Sequence, residues 1–212
     1  MAVAAPNIYE YRGVEGLVYA EVTCDDNSSE TGHGYVTGTV KPLAGIAELG
    51  KTNDGTTEAH WYDNLPAVSV DSNGTDTVTI QASAIPLQVL AEITGQEYDS
   101  ATGMLIEGHR QTKYFAIGYR TGTVGSADDK EVYVWRLKGT FAIPEETHQT
   151  ENDGTDANGQ ELVFTGIYTT HKFEKTGKNE LAVVIDTGLD LIANKATFFD
   201  TVQTPDTVTA KA

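Results

Sequence analysis

The chain has 212 residues and a mass of 22.8 kDa, and its 14 lysines and arginines face 31 aspartates and glutamates, a net charge of −17. That balance argues against nucleic-acid binding by phosphate neutralisation, which draws its affinity from lysine and arginine. The length suffices to bury about 70% of the unfolded surface in one large domain without disulfides, and the one cysteine, Cys24, has no partner in the chain.

From its start the chain reads as strand, turn, strand. "MAVAAPNIYEYRG" carries neither a charged leader nor an apolar run of signal-peptide length, and no stretch approaches the ~18 apolar residues of a membrane span, so manufacture in a cytoplasm and no membrane partner are expected. Leu17 to Val22, Tyr35 to Val40, Ala67 to Val70 and Thr77 to Ala82 have strand character, the last with Val78, Ile80 and Ala82 alternating against Thr77, Thr79 and Gln81. "IPLQVLAEITG" breaks the pattern: Pro86 suits a helix start, Leu87, Val89, Leu90 and Ile93 form an apolar face, and Gly95 suits the position after the end. One short helix, about residues 86–94, is expected there.

Strands resume at Tyr114 to Arg120, Glu131 to Ile143, Leu162 to Tyr168 and Leu181 to Asp186, separated by Asn-Gly, Asp-Gly and Gly-Ser turn chemistry. Near Asn194 to Val202 a weaker helical stretch would let Phe198 and Phe199 dock a C-terminal arm. Two polar segments, Glu48 to Glu58 and Glu145 to Glu161, read as long loops. The expected fold is mainly β, a sandwich or barrel-like single domain over residues 1–212, with one flanking helix and arms at about 1–14 and 188–212.

Local motifs for chemistry are sparse. The five histidines, His33, His60, His109, His148 and His171, form no short-spaced metal pair and read as isolated. "DDNSSE" and "NDGTDANGQE" lack the alternating register and terminal glutamate of a calcium loop, so turn chemistry is the better reading. Cys24, flanked by Asp25 and Asp26, reads as an unreactive thiol, because a nucleophile wants cationic neighbours. There is no nucleophile elbow and no phosphate-cradling glycine loop; strand-borne carboxylates of the glycosidase kind stay open because their partners come from different strands. No catalytic residue, metal or cofactor is expected.

The strand "EVYVWRLKGTF", Glu131 to Phe141, has two unlike faces. Tyr133, Trp135, Leu137 and Phe141 form a bulky row suited to a core, while Val132, Val134, Arg136 and Lys138 form a face half apolar and half cationic. In so acidic a chain that second face reads either as an intersubunit face or as the outer face of one subunit. Charge is uneven as well: residues 1–100 carry 15 acids and 3 bases, residues 101–212 carry 16 and 11, and between Lys51 and Arg110 there are nine acids and no base.

"YFAIGYRTGTVGSADDKEVYVWRLKGTFAIPEETHQT" (Tyr114 to Thr150) and "ELVFTGIYTTHKF" (Glu161 to Phe173), with "WYDNLP" (Trp61 to Pro66) and "EITGQEYDSATGMLIEG" (Glu92 to Gly108), resemble the major tail protein of long, flexible-tailed bacteriophages of Gram-positive hosts. The likeness runs over about residues 10–200, and its most specific parts are the GYR strand, the VWRLKG strand and the helix followed by G-x-x-Y-D.

The resemblance implies a tail tube protein made in the host cytoplasm and resident in the virion. Such proteins form hexameric rings that stack around a channel, meet tape measure, terminator and distal tail proteins, and conduct DNA without binding it specifically. On that footing Val132, Val134, Arg136 and Lys138 are the expected intersubunit face. Lys51, Thr52, Asn53, Asp54, Gly55, Thr56 and Thr57 lie in the expected inter-ring loop, and Asp54, Glu58 and Asp63 are the expected acids of a lumen that repels the passing polymer. A carbohydrate-binding or adhesion module, stacking sugars on Trp61, Tyr62 or Trp135, is the alternative, and a hydrolase with strand-borne carboxylates a more distant one.

Overall fold

The computed structural model describes residues 9–28, 30–62, 64–72, 74–125, 130–145 and 159–211. Among these residues thirteen strands run in chain order as β1 (Tyr9–Asp25), β2 (Tyr35–Thr37), β3 (Lys41–Pro42), β4 (Ile46–Asn53), β5 (Thr56–Tyr62), β6 (Leu65–Ser72), β7 (Asp76–Ala82), β8 (Glu97–Asp99), β9 (Met104–Ile106), β10 (Phe115–Gly125), β11 (Lys130–Phe141), β12 (Gln160–Gly166) and β13 (Ala182–Asp186). Among the described residues there is a single α-helix, α1 (Leu87–Thr94), between β7 and β8. The fold is mainly β with one helix, and its sheets do not close into a barrel.

The main sheet is antiparallel, in the order β2-β1-β10-β11-β12-β7-β4, with β3 added beside β1. Its far edge forks at β11. β13 pairs with Val132 to Arg136 of that strand, and β12 pairs with Gly139 to Phe141 on the same edge. β12, β7 and β4 thereby diverge from the β1-β10-β11 layer and fold back over it, so that β4 approaches β1.

Between the layers lies the larger core: Tyr19, Val78, Ile80, Phe115, Ile117, Val134, Phe141, Leu162 and Phe164. The alternation expected for β7 is realised, with Val78, Ile80 and Ala82 buried between half-buried neighbours. The helix α1 adds Leu90 and Ile93 to this core and ends at Gly95, whose φ of 70° is left-handed and whose N–H caps the Ala91 and Glu92 carbonyls. A side chain at Gly95 would also meet the Gln111 carbonyl oxygen, so only glycine fits. Leu87, by contrast, is exposed.

The other face of β1, β10 and β11 is covered by the C-terminal segment. Phe198 is fully buried against Tyr133, and Trp135 donates its Nε1–H to the Phe198 carbonyl at 3.1 Å. Ile192 and Val202 complete this second core. The docking expected of Phe198 and Phe199 is therefore realised, although the helical element there is only a 3₁₀ turn, Lys195–Thr197.

Both faces of β11 are thus covered, which corrects the assignment of its second face. Val134, Arg136 and Lys138 are buried and Val132 is partly so; none forms an exposed intersubunit surface. Phe141 also changes sides. Ile117 pairs with Arg136 but Phe115 with Gly139, so β11 carries an extra residue there; the bulge reverses parity and sends Phe141 into the inner core beside Phe115 and Phe164.

Candidate functional site

Glu48 to Glu58 is not a loop. Lys51, Thr52 and Asn53 belong to β4 and pair with Val78, Thr77 and Asp76 of β7. Only Asp54 and Gly55 interrupt the ladder before Thr56 and Thr57 open β5. Asp54 donates its N–H to the Thr75 carbonyl at 3.1 Å and accepts from Thr75 Oγ1 at 3.2 Å, while Asn53 Oδ1 accepts from the Gly55 N–H at 2.9 Å. The two chains cross so closely here that a Cβ on Gly74 would fall 2.1 Å from the Gly55 nitrogen. With Leu49 its one apolar residue from Glu48 to Asn53, this stretch of β4 gives no periodic signal; it pairs with β7 through its backbone ladder and through Asn53 and Lys51, which reach Asp76.

Beyond that crossing, β5 and β6 form a hairpin that, among the described residues, pairs only with itself. Seven residues of strand at about 3.4 Å each carry it ~24 Å from its root. At its tip Asn64 takes φ 64°, a left-handed value asparagine tolerates in a two-residue hairpin loop. Every described residue of the arm is exposed, including the apolar ones: Trp61 at 65%, Leu65 at 67%, and Tyr62, Val68 and Val70 with them. Cross-strand pairing puts Glu58 beside Val70 and His60 beside Val68, so one face of the ribbon is partly apolar. An isolated two-stranded ribbon is marginal in water, and this one buries none of its large side chains.

Asp54 sits at the root of the arm and Glu58 on its β5 strand, both exposed; Asp63 lies outside the described residues. The Glu145 to Glu161 loop is pinned at its ends by a bridge between those two residues, and 146–158 lie outside the described residues. His148 and residues 1–8 of the expected N-terminal arm also lie outside them.

The cations assigned to a surface instead neutralise buried acids. Arg136 Nη1 is in contact with Asp76 Oδ2, the Arg136 side chain being 7% exposed and that of Asp76 1%. Tyr119 Oη lies 3.4 Å from Arg136 Nη2, and Asn53 Nδ2 and Lys51 Nζ reach Asp76 Oδ1 at 2.9 and 3.4 Å. Lys138 Nζ meets Asp25 Oδ2 at 2.5 Å and lies 4.8 Å over the Tyr114 ring. Burial works against the Asp25 carboxylate, but hydrogen bonds from Lys138 and from the Thr170 and His171 N–H groups outweigh it and hold its pKa below the usual value. These partners lie 60 and 113 residues away in sequence, beyond the reach of any local pattern.

A second apolar surface lies on the body. Tyr11, Val184 and Leu189, all largely exposed, line a cleft of about 730 Å³. Trp135, the third aromatic of the sugar-stacking alternative, is fully buried, while Trp61 and Tyr62 are neighbours on a strand and point to opposite faces. The chain matches no model of a known protein family, and no curated protein matches it.

Proposed function

We propose that this chain is a structural protein that polymerises through its β5–β6 arm, as a tail tube protein of a bacteriophage does. The observation that carries the reading is the arm itself: a self-paired ribbon whose tryptophan, tyrosine, leucine and valines are all in solvent. A free monomer gains nothing from holding them there, and an apolar ribbon of this kind marks an interaction surface. In the assembled tube the arm of one copy lies on a neighbour, and the Tyr11, Val184 and Leu189 cleft is the apolar surface that receives it.

The resemblance set out above supplies the kind of assembly: hexameric rings, stacked, with DNA passing through and other tail proteins at the ends. The acid excess fits that use, since a lumen that repels phosphate leaves the polymer free to slide. Asp54 and Glu58 keep the exposure that a lumen position requires. Intersubunit contact passes from the buried β11 residues to the arm.

Electron microscopy of concentrated protein tests the reading. Rings or tubes are expected from the parent chain, and their loss from Trp61→Ser with Leu65→Ser. A chain that stays monomeric at every concentration and salt would remove the proposal. The exposed Trp61 favours a second reading, the carbohydrate-binding module, which requires glycan binding that the same Trp61 variant abolishes.

A further inference from the structure

β1 ends at Asp25 and the chain returns as β2 from Tyr35, with Asp25 opposite Tyr35 and Cys24 opposite Val36. The turn is built on Asp26. One of its oxygens, Oδ1, accepts from the Ser28 N–H at 3.0 Å and the Gly34 N–H at 2.8 Å, which fixes the carboxylate. The other, Oδ2, lies 2.6 Å from His33 Nδ1 and accepts from Cys24 Sγ at 3.3 Å. Sulfur, nitrogen and oxygen, one from each residue, all lie within 4.8 Å of one another.

We propose that Cys24, Asp26 and His33 form a three-ligand site for a divalent cation of the zinc class. Thiolate, imidazole and carboxylate are the donors such a borderline cation takes, and three protein ligands with water in the fourth place is a common arrangement for it. The turn supplies what orients the ligands. Asp26 is held by two backbone N–H groups, and His33 Nε2 faces the Glu30 carboxylate at 3.9 Å. With Nδ1 on the cation, His33 carries its proton on Nε2, on the side of the exposed Glu30 carboxylate, which at 3.9 Å adds charge attraction without a hydrogen bond.

A cation would separate Nδ1 and Oδ2 from 2.6 to about 3.3 Å, given bonds of about 2.0–2.2 Å in a tetrahedral set, and the exposed His33 ring can swing by that amount. Cys24 gives up its thiol proton to solvent. Burial and the neighbouring Asp26 raise the pKa of the free thiol, and a bound cation inverts that preference by holding the thiolate directly. None of this depends on polymerisation, because all three residues lie in one turn of one chain.

Titration of the full chain with cobalt(II) tests the site. A thiolate-to-cobalt charge-transfer band in the near ultraviolet is expected, saturating at about one cation per chain. Zinc should displace it. Cys24→Ser should abolish the band, and His33→Gln should weaken binding by more than about tenfold, since loss of a ligand exceeds the loss of an outer partner. His60→Gln, on the arm, should change nothing. The inference is overturned if the folded parent gives no band at millimolar cobalt. It is equally overturned if His33→Gln leaves the affinity unchanged, since the thiol alone is then the ligand.

Discussion

Removing either member of the buried Arg136–Asp76 pair should destabilise the fold strongly but unequally. Taking one partner from a buried pair costs about 3–5 kcal/mol, because the other charge is left without compensation. After Asp76→Ala, Arg136 retains among the described residues only the Tyr119 hydroxyl at 3.4 Å, and its Nε has no partner among them even in the intact protein. That variant belongs at the upper end of the range. After Arg136→Met, Asp76 still has Asn53 at 2.9 Å and Lys51 at 3.4 Å, so the cost belongs at the lower end. Lys51→Ala alone should cost no more than about 1 kcal/mol, since its side chain is 42% exposed. The double variant Arg136→Met with Asp76→Ala should cost well under the sum of the singles, because no lone charge remains. Urea unfolding of the four variants measures all these quantities. Additive single and double effects, or an Asp76→Ala cost below about 1 kcal/mol, would refute the argument that this pair holds the two layers together electrostatically.

Replacing residues 56–72 by a short Asn-Gly connection should leave the unfolding midpoint of the body nearly unchanged, because the arm buries no large side chain, while removing tubes from electron micrographs. Phe198→Ala should cost about 3–5 kcal/mol and release the C-terminal segment to proteolysis, read by denaturation and limited digestion. The depressed pKa of Asp25 belongs to the folded state, so its contribution is complete above the unfolded value near about 3.9 and is lost as pH falls from there through the folded value. The stability of Asp25→Asn should therefore depend less on pH across that acid window, as denaturation at stepped pH would show. Asp54→Lys, at the root of the arm, should leave tubes intact but make them retain DNA at low salt, which release measurements against ionic strength would detect.

Strands whose side chains meet a core were legible in the sequence. β7, β10, β11, β12 and β13 all advertise themselves by alternation or by β-branched runs, and α1 by Pro86 and Gly95. β4 and β5 did not, because Leu49 is the one residue of "ELGKTNDGTTE" that packs on the core, and a single contact imposes no period. The face of β11 was misjudged for two separate reasons. Arg136 and Lys138 look like surface cations until Asp76 and Asp25 arrive from distant strands, and a bulge near Leu137 reverses the parity on which Phe141 was placed. The Cys24, Asp26 and His33 cluster escaped notice because a hairpin closes it, whereas spacing rules look for ligands one turn of helix apart.

The fork at β11 also bears on the order in which the molecule is made. Val132 to Arg136 take their outer neighbour from β13, and Tyr133 and Trp135 take part of their cover from Phe198 and Phe199. Until residues 182–199 are present, the subunit therefore has a bare strand edge beside two partly covered aromatic rings. Synthesis of residues 182–199 closes both at once. Residues 182–199 must therefore be in place before the central strand is sealed at both its edge and its outer face.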